Sequence, residues 1–239
     1  MKKTKAFLKK WPCLYGLVQN FYYGFRKIIE RYLLGTRVQE WLWKRQKREE
    51  VQKYLGPGSP PHRQKLLERI ENLAPFESVL EIGCATGSNL ILLAKKFPNI
   101  KIQGIEINPI AVELGNEQFK KEKISNVRLF VGRADDLSQF PDKSFDIVFT
   151  GSVLMYIGPD KIKKVVSEMQ RIARKAIVVA EYHSDREGAL GIYNKGNWLR
   201  DYKKLFQPFS SQIEITKISP KGRGEEDWEK LGYVIEVVL

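Results

Sequence analysis

Two acids and a glycine turn form the part of the sequence that is best suited to bind a ligand. Glu81 stands at the end of an apolar run, and the turn from Gly83 to Gly87 that follows carries little side-chain bulk. Glycine lets a ligand approach the main chain closely, and the next helix would point its first amide groups at that ligand. A carboxylate at this place would repel a pyrophosphate, whereas it suits a cationic ligand that bears an amino acid.

The second acid, Glu106, ends the next predicted strand. Ligands of parallel sheets bind beyond the carboxyl ends of the strands, and a carboxylate there can accept hydrogen bonds from ribose hydroxyls. Its separation from the glycine turn is close to the offset of roughly 20 residues expected of a ribose-binding acid. The two acids therefore predict a site for a positively charged nucleoside.

Two common nucleotide motifs do not fit the turn. A dinucleotide fingerprint would need glycine at Ala85 and at Ser88, and a P-loop would need lysine at Ser88. The run Glu81-Ile-Gly-Cys-Ala-Thr-Gly87 instead resembles motif I of the class I S-adenosylmethionine-dependent methyltransferases, usually Glu/Asp-x-Gly-x-Gly-x-Gly. Ala85 replaces the middle glycine, a departure that takes up one methyl group of space. The resemblance implies S-adenosylmethionine as cofactor, held by Glu81, Gly83, Cys84, Ala85, Gly87, Glu106 and Ile107.

The segment after the third predicted strand resembles a further motif of this family. It reads Gly132-Arg-Ala-Asp-Asp-Leu137, close to the family's Gly-Asp-Ala-Glu/Asp-Asp-Leu. By this match the main chain of Ala134 and the carboxylate of Asp135 would bind the adenine edge. Arg133 replaces an acid of the family's pattern, which leaves the local electrostatics open.

Residues 140–157, which contain the fourth predicted strand, are typical of class I methyltransferases with small or glycan substrates. Thr150 and Gly151 would run beside the methionyl part of the cofactor. Relatives that methylate nucleic-acid amino groups carry Asn/Asp-Pro-Pro-Tyr/Phe at this place, and enzymes that attack a cytosine ring carry a Pro-Cys pair. Neither occurs in this segment, so methylation of nucleic-acid bases is disfavoured.

Three side chains are candidates for removing a proton from an acceptor hydroxyl. His183 follows the fifth predicted strand at the carboxyl edge of the sheet, and Asp185 and Tyr156 are alternatives. His183 could equally have a positioning or structural role. The other histidine, His62, is interpreted as a surface or helix-start residue because no metal-ligand pattern surrounds it.

The acceptor is indicated only by resemblance. Residues 153–160 and 177–183 are similar to methylases associated with nonulosonic-acid and surface-polysaccharide pathways. With the general resemblance, they predict methyl transfer to a hydroxyl or carboxylate of a small-molecule, glycan or lipid-linked acceptor. Two alternatives stay open, an RNA methyltransferase recruited by a basic arm and a non-catalytic module that binds the cofactor.

Alternating strands and helices predict the scaffold that positions these residues. Strands are predicted at 79–82, 100–106, 127–131, 145–150, 176–181, 213–218 and 233–238. Helices are predicted at 62–72, 88–97, from Pro109, at 161–173 and at 197–206, with none between the last two strands. The pattern is typical of an α/β fold with a doubly wound, seven-stranded, mostly parallel sheet. The closing strand pair indicates the antiparallel last strand of the methyltransferase sheet.

The positive charge of the 239-residue chain is concentrated at its start. Residues 1–55 hold 14 Lys/Arg and 4 Asp/Glu and so carry +10, whereas the remainder holds 27 and 24 and carries +3. Residues 56–61 are rich in Gly and Pro. They predict a linker between a basic, aromatic, helical arm at 1–55 and a methyltransferase domain at 62–239.

The arm fits two compatible roles. Helices predicted at 25–34 and 38–54 could pack over the site as a cap, or their Trp, Tyr and Lys side chains could contact a membrane surface. The uncharged run at 11–25 is shorter than the roughly 18 residues of a membrane span, and no clear cleavage site follows it. The two cysteines, Cys13 and Cys84, support neither a disulfide framework nor a metal site. We therefore expect a cytoplasmic protein without metal, with peripheral contact at the inner membrane surface.

Overall fold

The computed structural model describes residues 35–55, 61–194, 196–218 and 226–239. The predicted helix at 25–34, the rest of the arm before residue 35, and residues 56–60 of the predicted linker lie outside the described residues. The described residues include every strand predicted from the sequence and the whole glycine turn.

Within the described residues, seven strands form one sheet, and two short strands form a separate hairpin. The sheet strands are β1 Ser78–Ile82, β2 Lys101–Glu106, β3 Val127–Val131, β4 Phe145–Gly151, β5 Ala173–Tyr182, β8 Ile213–Lys217 and β9 Gly232–Val238; the hairpin is β6 Ile192–Asn194 and β7 Asn197–Leu199. The order across the sheet is β3-β2-β1-β4-β5-β9-β8. Strands β1 to β5 are parallel, and β9 is antiparallel to both of its neighbours. The predicted doubly wound, mostly parallel sheet of seven strands is confirmed.

Helices cover both faces of the sheet. They are α1 Gly35–Lys44, α2 Arg48–Val51, α3 Pro61–Glu71, α4 Ser88–Lys96, α5 Pro109–Lys121, α6 Ile162–Ile172, α7 Tyr202–Phe206 and α8 Glu226–Leu231, with 3₁₀ turns at Gln52–Tyr54 and Leu154–Tyr156. Successive strand side chains point to opposite faces, so Val79 joins one core cluster and Leu80 the other. Strand β1 is buried along its whole length, as expected of a central parallel strand.

The start of α5 shows how the sequence places a helix end beside the carboxyl edge of the sheet. Asn108 precedes the helix, and its side chain accepts hydrogen bonds from the amides of Ile110 (2.8 Å) and Ala111 (3.3 Å). Pro109 occupies the first turn, where its missing N–H is not needed. Because β2 ends only two residues earlier, Glu106 and this helix start face the same space.

Three sequence predictions of helices need correction. The helix predicted at 197–206 is wrong in its first half, because 197–199 is strand β7; α7 begins only at Tyr202, where Asp201 accepts a hydrogen bond from the amide of Lys204 (3.2 Å). Helix α8 lies between the last two sheet strands, where no helix was predicted. The helix predicted at 38–54 is interrupted after Lys44, and a second helix, α2, begins at Arg48. At its start, the carboxylate of Glu50 accepts a hydrogen bond from the amide of Lys47 (2.8 Å).

Candidate active site

A cavity of about 420 Å³ lies at the carboxyl ends of β1, β2 and β4. Ten of the fourteen predicted site residues line it: Glu81, Gly83, Cys84, Ala85, Glu106, Ile107, Ala134, Asp135, Gly151 and Tyr156. The other four, Gly87, Thr150, His183 and Asp185, do not belong to its lining. The fold thus brings together most of the residues that the motifs singled out, while the role of each stays a prediction.

The glycine turn is held in a conformation that favours glycine. Gly83 and Gly87 have φ angles of +71° and +78°. A Cβ on Gly83 would come within 2.4 Å of Val153 Cγ2, so the first glycine has no room for a side chain. Ala85 also has a positive φ, +47°. Its substitution for glycine therefore carries a conformational cost on the order of 1 kcal/mol, in addition to the space of a methyl group.

Glu81 is buried at the cavity wall with one oxygen in use. Its side chain is only 2% exposed, and Oε1 accepts a hydrogen bond from the Asn89 side-chain amide. Among the described residues, Glu81 Oε2 and Asn89 Oδ1 are buried atoms without a hydrogen-bond partner. Burial raises the pKa of Glu81 to about 8, although Asn89 and the charge of Arg63 act in the opposite direction. The charge of Arg63 therefore offsets only part of the cost of burying this carboxyl group.

Glu106 joins the end of β2 to the glycine turn. Its Oε2 accepts from the amide of Ala85 (3.0 Å), and its Oε1 accepts from the amide of Asn108 (2.9 Å). Burial raises the pKa of Glu106, and these backbone hydrogen bonds limit the rise. Each carboxylate oxygen has a second lone pair, so the group can still accept hydrogen bonds from hydroxyls in the cavity.

Asp135 is part of an ion-pair cluster at the rim of the cavity. The Arg133 guanidinium donates to both of its oxygens, at 2.9 and 3.0 Å, and Lys161 Nζ lies 3.4 Å from Oδ2. Partial burial works to raise the pKa of Asp135, but these two cations outweigh it and hold the pKa below its usual value. Arg133 stands where the family's pattern has an acid. Its positive charge balances the negative charge of Asp135, the residue predicted to bind adenine.

Helix α1 forms the roof of the cavity and is tied to its rim. Glu40 accepts from Arg133 at 3.0 and 3.2 Å and also pairs with Lys161. The Thr36 hydroxyl donates to Asp160 (2.6 Å) and accepts from the amide of Gly158 (2.7 Å). One face of the helix is therefore fixed by both charged and neutral hydrogen bonds.

The segment after α1 closes the other side of the roof. Asn108 Nδ2 donates to the carbonyls of Trp43 (3.0 Å) and Gln46 (3.1 Å). The carbonyl of Tyr54 accepts from the hydroxyls of Thr86 (2.9 Å) and Ser88 (2.6 Å) in the glycine-turn region. Residues 35–55 therefore cap the cavity, one of the two roles expected of the arm.

Two buried charges clamp the 3₁₀ turn that carries Tyr156. Glu181 is fully buried and accepts from the amides of residues 153, 154 and 155 at 2.9, 2.9 and 3.0 Å. Arg200 is fully buried and donates to the carbonyls of Leu154 and Ile157, both at 2.6 Å. With its backbone held from both sides, the turn places the Tyr156 ring 5.2 Å from the ring of Trp43 in the roof.

Residues 79–176 match a family model described as a methyltransferase domain. These residues form a methyltransferase domain. The matched range runs from β1 into β5 and contains the glycine turn, Glu81, Glu106 and Asp135. The resemblance stated from the motifs is therefore confirmed for this segment.

Three known proteins illustrate what this chain is similar to. The demethylmenaquinone methyltransferase of Listeria welshimeri is 33% identical over 98 residues, which are 41% of this chain and 40% of the relative. The solved geranyl diphosphate C-methyltransferase from Streptomyces coelicolor A3(2), in complex with Mg²⁺, geranyl diphosphate and S-adenosyl-L-homocysteine, has a TM-score of 0.64 at 12% identity, over 87% of this chain and 98% of that one. The [4+2]-cyclase SpnF has a TM-score of 0.58 at 17% identity, over 73% and 80%.

The extent of these matches limits what they show. The matched segments make up 24 to 41% of the length of the curated relatives, and the solved structures are similar at identities that show the fold alone. The family model therefore concerns residues 79–176, and the solved structures support the fold of the chain.

The two histidines differ in their relation to the cavity. His183 is nearly buried, and its Nδ1 accepts a hydrogen bond from the amide of Tyr202 (3.2 Å). Burial lowers the pKa of His183, against the effect of the carboxylates of Asp201 and Asp185. His183 is thus engaged outside the cavity lining, and Asp185 is exposed; their proposed role as bases stays a prediction.

His62 lines the cavity, as does its neighbour Arg63. The His62 ring is half-buried and stacks on Trp228, with the ring centroids 4.2 Å apart and 7° between the planes. Burial and the charge of Arg63 lower the pKa of His62 to about 4, so the ring is neutral at physiological pH. The interpretation of His62 as a helix-start residue is correct, because α3 begins at Pro61.

Three further findings concern predicted site chemistry. Thr150 is fully buried and donates to Glu181 (3.1 Å), so it supports the clamped turn. Burial raises the pKa of the Cys84 thiol well above its usual range. In the part of the chain that the structure describes, no group of three His, Cys, Asp or Glu side chains is placed to hold a metal ion.

Among the described residues, no helix has the length and apolar character needed to cross a bilayer.

Proposed function

We propose that this chain is an S-adenosylmethionine-dependent methyltransferase that acts on a small-molecule acceptor. The observation that carries the proposal is Glu81, a buried carboxyl group with one oxygen unpartnered among the described residues, at the wall of a roofed cavity. A cationic group of a ligand would satisfy this atom, because a buried carboxylate needs a charge or hydrogen-bond partner.

The residues around Glu81 fit the amino-acid part of such a cofactor. Glu81 and the Asn89 side-chain carbonyl both offer buried oxygen atoms to an ammonium group. Arg63 lines the same cavity and interacts electrostatically with Glu81, so its guanidinium can bind a carboxylate. An α-amino acid carries an ammonium group and a carboxylate on one carbon. We propose that Glu81 binds the ammonium group and Arg63 the carboxylate.

The remaining contacts fit a nucleoside. Glu106 would accept hydrogen bonds from ribose hydroxyls. Gly83, which has no side chain, would let the ligand approach the main chain of the turn closely. Asp135, with Ala134 and Ile107 beside it in the lining, would accept from the exocyclic amine of adenine. Arg133 and Lys161 keep Asp135 ionised and therefore able to accept.

S-adenosylmethionine, when bound, supplies a methyl group on a positively charged sulfur. The sulfur leaves as a neutral thioether, which is an excellent leaving group. The chain then has to align an acceptor and exclude water. The roof formed by residues 35–55 closes the cavity, and the clamped turn fixes Tyr156 at its wall. A hydroxyl acceptor also needs a base; Tyr156, His183 and Asp185 are our candidates from the sequence, and His62 joins them because it lines the cavity.

For the acceptor, we propose a chemical class and not a single compound. The Listeria relative named a demethylmenaquinone methyltransferase and the Streptomyces structure named a geranyl diphosphate C-methyltransferase both support a small organic acceptor. A hydroxyl or carboxylate of a glycan or lipid-linked molecule is our more specific proposal. Peripheral membrane contact through residues 1–55 at the cytoplasmic side belongs to the same proposal.

Calorimetry with S-adenosylhomocysteine tests the cofactor site directly. The wild-type chain should bind, and Glu106→Ala should weaken binding by at least about tenfold, because it removes charge-assisted hydrogen bonds of about 1.5–3 kcal/mol. Glu49→Ala is the matched control, since Glu49 is an exposed acid of α2 away from the cavity lining. An absence of binding to both wild type and control would overturn the proposal.

A non-catalytic protein that binds the cofactor is the second candidate. A fold alone does not imply methyl transfer, and one solved structure of similar fold is named a [4+2]-cyclase. A cell extract incubated with the protein and radiolabelled S-adenosylmethionine separates the two candidates. Transfer of label to an extract molecule supports the enzyme, whereas S-adenosylhomocysteine binding without transfer in extracts that contain glycans and lipids supports the module.

An RNA methyltransferase is a further alternative that rests on the basic arm. It predicts RNA binding that falls steeply with salt and is lost when residues 1–34 are deleted. Deletion of 1–34 is preferable to deletion of 1–55, because residues 35–55 cap the cavity.

A further inference from the structure

Helix α1 has two faces with different partners. Its inner face carries Thr36, Glu40 and Trp43 toward the cavity. Its outer face carries Val38, Trp41 and Leu42, which are 39%, 54% and 47% exposed. Their i, i+3, i+4 spacing places these three side chains in one stripe along the helix. Within the described residues, Trp41 and Leu42 are exposed next to each other on the roof helix, and an exposed apolar patch can mark a site that binds a partner.

The charges around this stripe are positive. Glu40 is the acid of α1, and it is turned inward, where it pairs with Arg133 and Lys161. Arg37, Lys44 and Arg45 are exposed around the stripe, and the Arg45 guanidinium lies 5.1 Å from the centroid of the Trp41 ring. An apolar stripe with tryptophan and a basic rim is typical of a helix that lies in the interface of an anionic membrane.

Resting on the proposed function, we infer that the outer face of α1 binds an anionic lipid surface and thereby brings the roof of the cavity to the membrane. Residues 1–55 carry +10, which complements a negatively charged leaflet. Residues 1–34 alone hold 8 Lys/Arg and 1 Asp/Glu. Their positive charge makes them a poor partner for the basic rim of α1, so lipid rather than this segment is the occupant that charge favours.

Binding at this face would act on the cavity, because the same helix carries both surfaces. The roof is held by Glu40 with Arg133 and Lys161, and by Thr36 with Asp160 and Gly158. A helix drawn toward the lipid would loosen these contacts and open the cavity on the membrane side. An acceptor embedded in the membrane could then enter without crossing water.

Vesicle sedimentation with the full-length chain tests the surface. The wild type should bind vesicles of phosphatidylcholine with phosphatidylglycerol and should bind phosphatidylcholine alone much less. The double variant Trp41→Ser/Leu42→Ser should bind the anionic vesicles roughly tenfold or more weakly, because interfacial affinity scales with buried apolar area. Val238→Ser is the matched control, since Val238 is also apolar and 37% exposed. It pairs with Ala176 near the start of β5, at the end of that strand opposite to the cavity. Equal binding of wild type and double variant would overturn the inference.

A second measurement tests the link between membrane and roof. Anionic vesicles should speed dissociation of S-adenosylhomocysteine from the wild type and leave the rate unchanged for the double variant, and an unchanged wild-type rate would overturn the link. The two proposals fail separately. A chain that binds S-adenosylhomocysteine but not vesicles contradicts the membrane face alone, whereas one that binds vesicles but not S-adenosylhomocysteine contradicts the cofactor site.

Discussion

At the scale of single residues, the protonation of Glu81 links the structure to the proposed ligand. Burial raises its pKa to about 8, so the side chain holds a proton at neutral pH in the ligand-free protein. A bound ammonium group would favour the carboxylate and lower this pKa again. Binding should therefore release a proton below about pH 8, and affinity should rise as the pH increases from 6 toward 8.

Calorimetry of S-adenosylhomocysteine binding at pH 7, in buffers of different ionisation enthalpy, measures this release. We expect close to one proton to leave the wild type. Glu81→Gln keeps the size of the side chain but cannot ionise, so it should bind more weakly and show no such release. A wild-type enthalpy that is the same in all buffers would contradict the assignment of Glu81 as the ammonium ligand.

The residues that could be predicted from the sequence are those that follow the strand ends directly. Glu81 and Glu106 each end a buried strand, and the topology of a parallel sheet then brings both to one edge. Arg63 and Asn89 were missed because they lie on helices, and their side chains meet the cavity only after the helices have packed. A basic residue in the first turn of the helix before β1 is the one signal that could have indicated Arg63.

At the scale of elements, the clamped turn after β4 depends on one buried arginine from a distant segment. Arg200 donates to two carbonyls of the turn at 2.6 Å, and Glu181 binds the amides. Removing the guanidinium would leave the Leu154 carbonyl with only the amide of Ile157 as a donor (3.1 Å). The Ile157 carbonyl would lose its Arg200 donor, and an unsatisfied buried group costs about 1–3 kcal/mol.

Arg200→Met should therefore lower the free energy of unfolding by about 2–5 kcal/mol, as measured by urea denaturation. Arg186→Met, at an exposed position of the same connection, should change it by less than about 0.5 kcal/mol. Equal stabilities of the two variants would show that the hydrogen bonds of Arg200 contribute little.

Some of the helices and strands could be predicted from the sequence, and others could not. Strands β1 to β5 and helices α3 to α6 could be predicted because their apolar patterns repeat with a clear period. The first half of the 197–206 prediction failed because hairpin pairing of β7 with β6 and burial of Trp198 outweigh local helix propensity. Helix α8 is short and exposes most of its surface, so it carries no amphipathic pattern to detect.

At the scale of the whole molecule, the cavity belongs to two parts of the chain. The sheet supplies the acids and the glycine turn, and residues 35–55 supply the roof, outside the range that matches the methyltransferase domain. No motif marks these roof residues, because each contact joins segments that are far apart in sequence, such as Glu40 with Arg133. A ligand held beneath this roof would be shielded from water on the side that faces away from the sheet.

Deleting residues 1–55 should therefore weaken S-adenosylhomocysteine binding by about tenfold or more, mainly through faster dissociation, because it removes the carbonyl contacts of Trp43 and Tyr54 and the ion pairs of Glu40. Deleting residues 1–34 keeps the whole roof and should change the affinity by less than about twofold. Stopped-flow fluorescence gives both rate constants, and thermal melts establish that each truncated protein is folded. Equal dissociation rates in two folded truncations would mean that the roof does not retain the ligand, and that the sheet edge alone accounts for binding.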